Sequence, residues 1–233
     1  MPQNEGARAL TVPDLVIFDC DGVLVDSEVL SVRGMTATLR AAGVPATDAM
    51  IAKRFGKKQR DILAHVAEET GVAIPDGVDA AIWPATRALF EAELVAMPGV
   101  ARFLERLGDR PRCVASSSSL ERIRYSLTKT GLIAFFGNNI FSSQQVENGK
   151  PAPDLFLFAA ERMGVAPERA VVIEDSIYGV QGARAAGMRA IGFLGGSHIQ
   201  PLHDQALAAS GAESAEPDYA AVERRIFGDG LTG

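Results

Sequence analysis

The chain has 233 residues, 47% of them hydrophobic and 22% charged, with 23 Lys and Arg against 29 Asp and Glu for a net charge of −6. At about 100–200 residues per domain this is one large domain or a domain carrying an insertion. It is too apolar for a disordered chain and, with only two cysteines, no disulfide scaffold. The acidic balance disfavours a nucleic-acid partner held by phosphate neutralisation, and nowhere do about 18 apolar residues run together to cross a membrane.

Residues 1–13 include Glu5 and Arg8 and lack the apolar core of a signal peptide, so they read as an N-terminal extension on a cytoplasmic protein. The first strand is expected at Leu15-Val16-Ile17-Phe18, ending at Asp19. From about residue 27 to residue 96 the pattern is helical throughout, with apolar residues three and four apart over 31–42, 48–55, 59–70 and 78–95. Pro84 is expected to kink or split the last of these, and Trp83 and Phe90 to pack the inserted helices together. Strand-like runs return at Cys113-Val114-Ala115, Ala170-Val171-Val172-Ile173 and Ala190-Ile191-Gly192-Phe193. Helical stretches at 99–107, 120–131, 153–163 and 178–186 separate or flank them, and Gly131, Gly164 and Gly187 supply three helix stops. Continuous apolar strands suit a parallel sheet buried on both faces. The expected fold is therefore α/β, a doubly wound parallel sheet built from 14–26 and 97–233, with 27–96 inserted as an all-helical cap. An insertion directly after the first strand sits over the carboxyl ends of the sheet, where such folds bind ligands. Cys20 and Cys113 fall in strand-like runs and read as reduced core thiols.

Chemistry collects where the strands end. In Asp19-Cys20-Asp21-Gly22 two carboxylates at i and i+2 leave a buried strand, and Gly22 lets the backbone turn with its amides open to an anion. A calcium loop would need Glu eleven positions after Asp19, but Leu30 stands there. After the second strand Ser116-Ser117-Ser118-Ser119 open a helix and offer hydroxyls and amides to an anion, with helix capping the plainer role for Ser118 or Ser119. Lys150 precedes the stiff Pro151-Ala152-Pro153, and Glu174-Asp175 close a strand too apolar to carry idle charge. His198 and His203 read as surface residues.

These motifs, in this order, resemble the haloacid dehalogenase-like superfamily of phosphohydrolases, over about residues 14–193. The stretch from Phe18 to Glu28 is close to the first motif of the branch with a helical cap, which includes beta-phosphoglucomutase and many sugar-phosphate phosphatases. The resemblance implies Asp19 as nucleophile forming an aspartyl-phosphate, Asp21 as general acid and then base, Ser116 bonded to the phosphoryl group and Lys150 balancing charge. It also implies Mg²⁺ held by Asp19, the Asp21 carbonyl and Asp175, with Glu174 reaching it through water. Gly22, Ser117 and Glu28 join the phosphate and substrate side. The second aspartate and the metal acids argue against dehalogenation, and Asp21 against phosphonate cleavage. Ser31 and Ser119 stand where mutases of this branch carry a histidine and a lysine, which favours hydrolysis. A receiver domain shares the acidic cluster but has no cap. The cap segment Arg54-Phe55-Gly56-Lys57-Lys58-Gln59-Arg60 carries four cations in seven residues, pointing to a small phosphorylated metabolite with a second negative charge. The Lys53-Arg54-Phe55 run and the Phe18-Asp19-Cys20-Asp21 variant also resemble bacterial 6-phosphogluconate phosphatases, which fits the same idea. The branch implies a monomer, since the cap itself closes the site.

Overall fold

Outside the inserted segment, the chain from Leu15 to Phe193 alternates apolar strands with helices that cover the two faces of the sheet. A computed structural model describes residues 12–54 and 56–228, so the extension read at 1–13 lies, but for Val12 and Pro13, outside the described residues. The strands are β1 (Leu15–Phe18), β2 (Arg112–Ser116), β3 (Ile140–Ser142), β4 (Ala170–Glu174), β5 (Arg189–Phe193) and β6 (Ser214–Glu216). They form one sheet in the order β3-β2-β1-β4-β5-β6, every neighbouring pair parallel.

The helices in chain order are α1 (Glu28–Ala41), α2 (Asp48–Ala52), α3 (Gln59–Thr70), α4 (Val78–Glu93), α5 (Val100–Arg106), α6 (Leu120–Lys129), α7 (Asp154–Met163), α8 (Ile177–Ala185), α9 (His203–Ala209) and α10 (Tyr219–Phe227). Alternate strand residues feed opposite faces of the sheet. Val16, Phe18, Val114, Val171 and Ile173 pack with α5, α6 and α10. Leu15, Ile17, Cys113, Ala115 and Val172 pack with α7, α8 and α9. Both faces are covered, which is why the strands read as unbroken apolar runs. Phe18 makes edge-on ring contacts with Phe103 at 6.0 Å and Phe136 at 5.7 Å, a geometry aromatic pairs prefer. Cys20 and Cys113 are buried and unbridged. None of the helices among the described residues is long and apolar enough to cross a membrane.

Helices α1 to α4 form the helical cap, with an apolar cluster of their own around Met35, Leu39, Ile51, Val66 and Ile82. Gly34 lets α1 and α4 touch: a Cβ there would stand 2.5 Å from Thr86 Oγ1. Helix α4 runs unbroken through Pro84, so the expected split does not occur; its packing along α1 carries it past the missing hydrogen bond. Its C-terminal half leaves the cap cluster. Phe90 and Leu94 join the main core beside Ile123 and Leu127, with Trp83 packed on the same cluster, so Trp83 and Phe90 seal cap to core rather than packing the inserted helices together. The linkers into and out of the cap run side by side, joined by a bridge between Val25 and Ala96 and by the Asp26 amide donating to the Val95 carbonyl at 3.1 Å.

Candidate active site

The switch of strand order between β1 and β4 opens a crevice at their carboxyl ends. Asp19 leaves β1 there, Ser116 ends β2, and Glu174 with Asp175 end β4. Lys150 reaches the same point from the loop before α7. Its Nζ donates to Asp19 Oδ1 at 2.8 Å and to Glu174 Oε2 at 2.7 Å, with 2% of the residue exposed. Glu174 Oε1 accepts from the Ser176 amide and hydroxyl, and Ser176, not an acid, caps α8.

Asp21 is held by three donors: Ser27 Oγ and Arg122 Nη2 on Oδ1, at 2.6 and 2.7 Å, and Ser118 Oγ on Oδ2 at 2.6 Å. Burial alone would raise its carboxyl, but the Arg122 charge and these hydrogen bonds outweigh that and hold it below the usual range. Asp19 goes the other way. Burial, with Glu174, Asp175 and Asp21 nearby, pushes it well above the ordinary value against the pull of Lys150. Burial and the neighbouring aspartates raise Glu28 likewise, and its Oε2 has no hydrogen-bond partner.

The serine turn is braced from beneath. Ser142 Oγ donates to the Ser118 carbonyl at 2.6 Å and Ser143 Oγ to the Ser117 carbonyl at 3.0 Å. Ser119 is the helix cap, accepting from the Arg122 amide, whereas Ser118 turns to Asp21. Ser117 Oγ donates to the Gly56 carbonyl of the cap at 2.7 Å.

Asp19, Glu174 and Asp175 each present an oxygen within 4.8 Å of the others. The donor set is all carboxylate, which suits a hard divalent cation. Five buried acids gather here, Asp19, Asp21, Glu28, Glu174 and Asp175, against Lys150 and Arg122. The excess negative charge fits a bound cation. Gly22 completes the cradle: its φ is +76°, and a Cβ would fall 1.8 Å from Asp175 Oδ2.

Two histidines read as surface residues stand at this edge instead. His198 Nε2 lies 3.0 Å from Asp175 Oδ2, and His203 Nε2 lies 2.5 Å from the Asp175 carbonyl. Nothing local in the sequence marks them, because the loop after β5 folds back over Gly22 only in the tertiary structure. Arg122, inside a helix, escaped the sequence reading for the same reason.

Above these groups lies a cavity of about 670 Å³, lined by Asp19, Asp21, Glu28 and Ser116 below and by Met35, Ile62, Ile82 and Trp83 above. The cap cations divide. Lys57 Nζ sits 4.6 Å over the Tyr178 ring, and Lys58 Nζ donates to the carbonyls of Val146 and Glu147 at 3.2 and 3.0 Å. Both line the cavity, as does the exposed Arg60; Arg54 is half-buried and does not. Phe55 lies outside the described residues. A second cavity, of about 460 Å³ between α5 and α10, is lined by Arg102, Asp218 and Tyr219 and by none of the motif residues.

A buried lysine between a strand-end aspartate and an acid pair, roofed by a helical insertion, defines a hydrolase site of a particular class. The profile of the haloacid dehalogenase-like hydrolases matches residues 13–187, and the chain belongs to that family. Among its relatives, a 6-phosphogluconate phosphatase of Escherichia coli K12 is 32% identical over 191 residues, 81% of this chain and 86% of the relative. A phosphorylated carbohydrates phosphatase of Thermotoga maritima is 32% identical over 187 residues, 76% of this chain and 83% of the relative. A solved haloacid dehalogenase-like protein from Agrobacterium tumefaciens superposes with a TM-score of 0.77 at 39% identity, covering 91% of this chain and 97% of that one.

Proposed function

We propose that the chain is a Mg²⁺-dependent phosphomonoester hydrolase acting on a small sugar or sugar-acid phosphate, with 27–96 serving as lid on a core of 14–26 and 97–233. The observation that carries this reading is the Asp19 carboxylate, buried against Lys150 at 2.8 Å beside an acid cluster and facing a roofed cavity.

In this reading an ionised Asp19 oxygen, its charge offset by Lys150, attacks phosphorus while the bond to the leaving oxygen breaks, and Asp21, once it has taken a proton from solvent, gives that oxygen the proton. Asp21 then takes a proton from water as the water oxygen attacks phosphorus, which frees phosphate and restores Asp19. Ser116 donates to the phosphoryl group. Lys150 offsets the repulsion between carboxylate and phosphate, so that positioning and charge compensation do most of what the transfer needs. Asp19, Asp175 and the Asp21 carbonyl would hold Mg²⁺, with Glu174 reaching it through water, and the ion would supply the remaining positive charge. Gly22 and Ser117 shape the turns around the phosphoryl group, and Glu28 faces the substrate's hydroxyls. Ser31 donates to the Ser27 carbonyl and accepts from Arg122, and Ser119 accepts from the Arg122 amide at the start of α6; neither hydroxyl is the acid or base a mutase would use.

Lys57, Lys58 and Arg60 on the cavity wall support a substrate with a second negative charge. With the cap closing the site from the same chain, a monomer in the cytoplasm fits this reading.

The test is phosphate release from 6-phosphogluconate, β-glucose 1-phosphate, phosphoglycolate and several pentose and hexose phosphates, with Mg²⁺ and with EDTA, and with Asp19→Asn as control. Mg²⁺-dependent release abolished in the variant is the expected result. No release, with β-glucose 1-phosphate converted to the 6-phosphate, would overturn hydrolysis in favour of a mutase.

A further inference from the structure

Arg122 joins three parts of the molecule at one carboxylate. It leaves the first turn of α6, and its Nη2 is shared between Asp21 Oδ1 and Ser31 Oγ of α1, both at 2.7 Å. The Phe90 ring of α4 lies under the guanidinium, 5.1 Å from Cζ. Only 16% of its side chain is exposed, at the cavity wall. Its Nε is buried without a hydrogen bond.

We infer that Arg122 is a positioning residue for Asp21, aiming that carboxylate at the leaving oxygen and linking its orientation to cap helices α1 and α4. The inference rests on the proposed role of Asp21 as general acid. As a general acid Asp21 carries one O–H beside about three acceptor sites. Ser27, Ser118 and Arg122 occupy the acceptor sites, from the cap entrance, the serine turn and α6, and the O–H is left for the leaving oxygen. Removing the Arg122 contact frees the carboxylate to rotate about the two serine bonds, and a misplacement of about 1 Å can cost about 10²-fold in rate. The planar guanidinium suits the place because its flat face rests on Phe90 while Nη2 reaches both Asp21 and Ser31.

The experiment compares phenyl phosphate with p-nitrophenyl phosphate, two substrates of like shape that differ in how much their leaving oxygen needs a proton. The quantity read is kcat/KM, which stops at departure of the leaving group and excludes hydrolysis of the phosphoenzyme. Asp21→Asn is measured first and must depress phenyl phosphate far more than p-nitrophenyl phosphate; if it does not, the reading of Asp21 fails, and this inference with it. Given that result, Arg122→Met should lower kcat/KM for phenyl phosphate by at least about tenfold more than for p-nitrophenyl phosphate, a part of the roughly 10²–10⁴ that general acid catalysis supplies. Arg122→Lys should recover only part of the loss, and Ser31→Ala should shift the ratio in the same direction by less. Should Arg122→Met fail to fold, the Lys and Ser31 variants decide by the same ratio. Equal losses on both substrates would make Arg122 a structural tether. A loss confined to 6-phosphogluconate would make it a substrate-anion contact. Either result overturns the inference.

Discussion

Lys150→Met removes the ammonium from between Asp19 and Glu174 while keeping most of the side-chain volume. At 2.8 and 2.7 Å and an effective dielectric of about 20, each contact carries about 6 kcal/mol of Coulomb attraction. Desolvation offsets most of that, and breaking a buried pair by removing one partner costs about 3–5 kcal/mol net. In a chain of this size about 1 kcal/mol moves Tm by about 2–4 °C, so the expected drop is roughly 6–20 °C. The loss should depend on pH. Burial disfavours a charged Lys150, yet Asp19 and Glu174 hold it above its ordinary value, so in the parent it stays charged through the neutral range. In the variant, Asp19 and Glu174, both already raised by burial, rise further without it. The folded variant then keeps protons that the unfolded chain has released, so its stability falls as pH climbs from about 5 to about 8. Thermal melts of parent and variant in EDTA at both pH values measure this. A deficit below about 1 kcal/mol, or one that shrinks toward pH 8, would refute the claim that Lys150 neutralises the buried acids.

Gly22→Ala forces a Cβ to within 1.8 Å of Asp175 Oδ2 at a positive φ; activity should vanish and calorimetry should show no Mg²⁺ binding. His198→Gln removes the ring beside Asp175 and should weaken Mg²⁺ binding by about tenfold or more in the same assay. Phe156, fully buried under the sheet beside Lys150, should cost about 3–5 kcal/mol on Phe156→Ala, read as a lower urea midpoint at unchanged m. Lys58→Ala unlatches the cap from the Val146 and Glu147 carbonyls and should raise KM while leaving Tm nearly unchanged; an unaltered KM would show that the latch does not hold the closed site.

What was legible along the chain and what was not divides by the range of the interaction. The four apolar strands and the helical insertion follow from local periodicity, because burial on both faces of a sheet demands unbroken apolar runs and a cap helix demands three- and four-residue spacing. Asp19, Asp21, Ser116, Lys150, Glu174 and Asp175 were readable as one constellation because each sits at a strand end or beside a stiff loop, where a parallel sheet must bring them together. Strands β3 and β6, of three residues each, carry too little periodicity to be seen, and they exist because neighbouring strands offer them hydrogen bonds. The helices α9 and α10 are short amphipathic stretches whose place depends on the sheet they cover.

Tertiary structure alone decided the rest. It brought Arg122 from a helix onto Asp21, folded His198 and His203 back onto Asp175, turned Ser118 away from capping, and set Lys57 and Lys58 against the core as well as the cavity. Each of these depends on contacts between elements far apart in the chain, where residue type constrains the partner only weakly. The sequence by itself determined that an acid cluster would assemble under a helical roof; packing determined which neighbours hold its carboxylates.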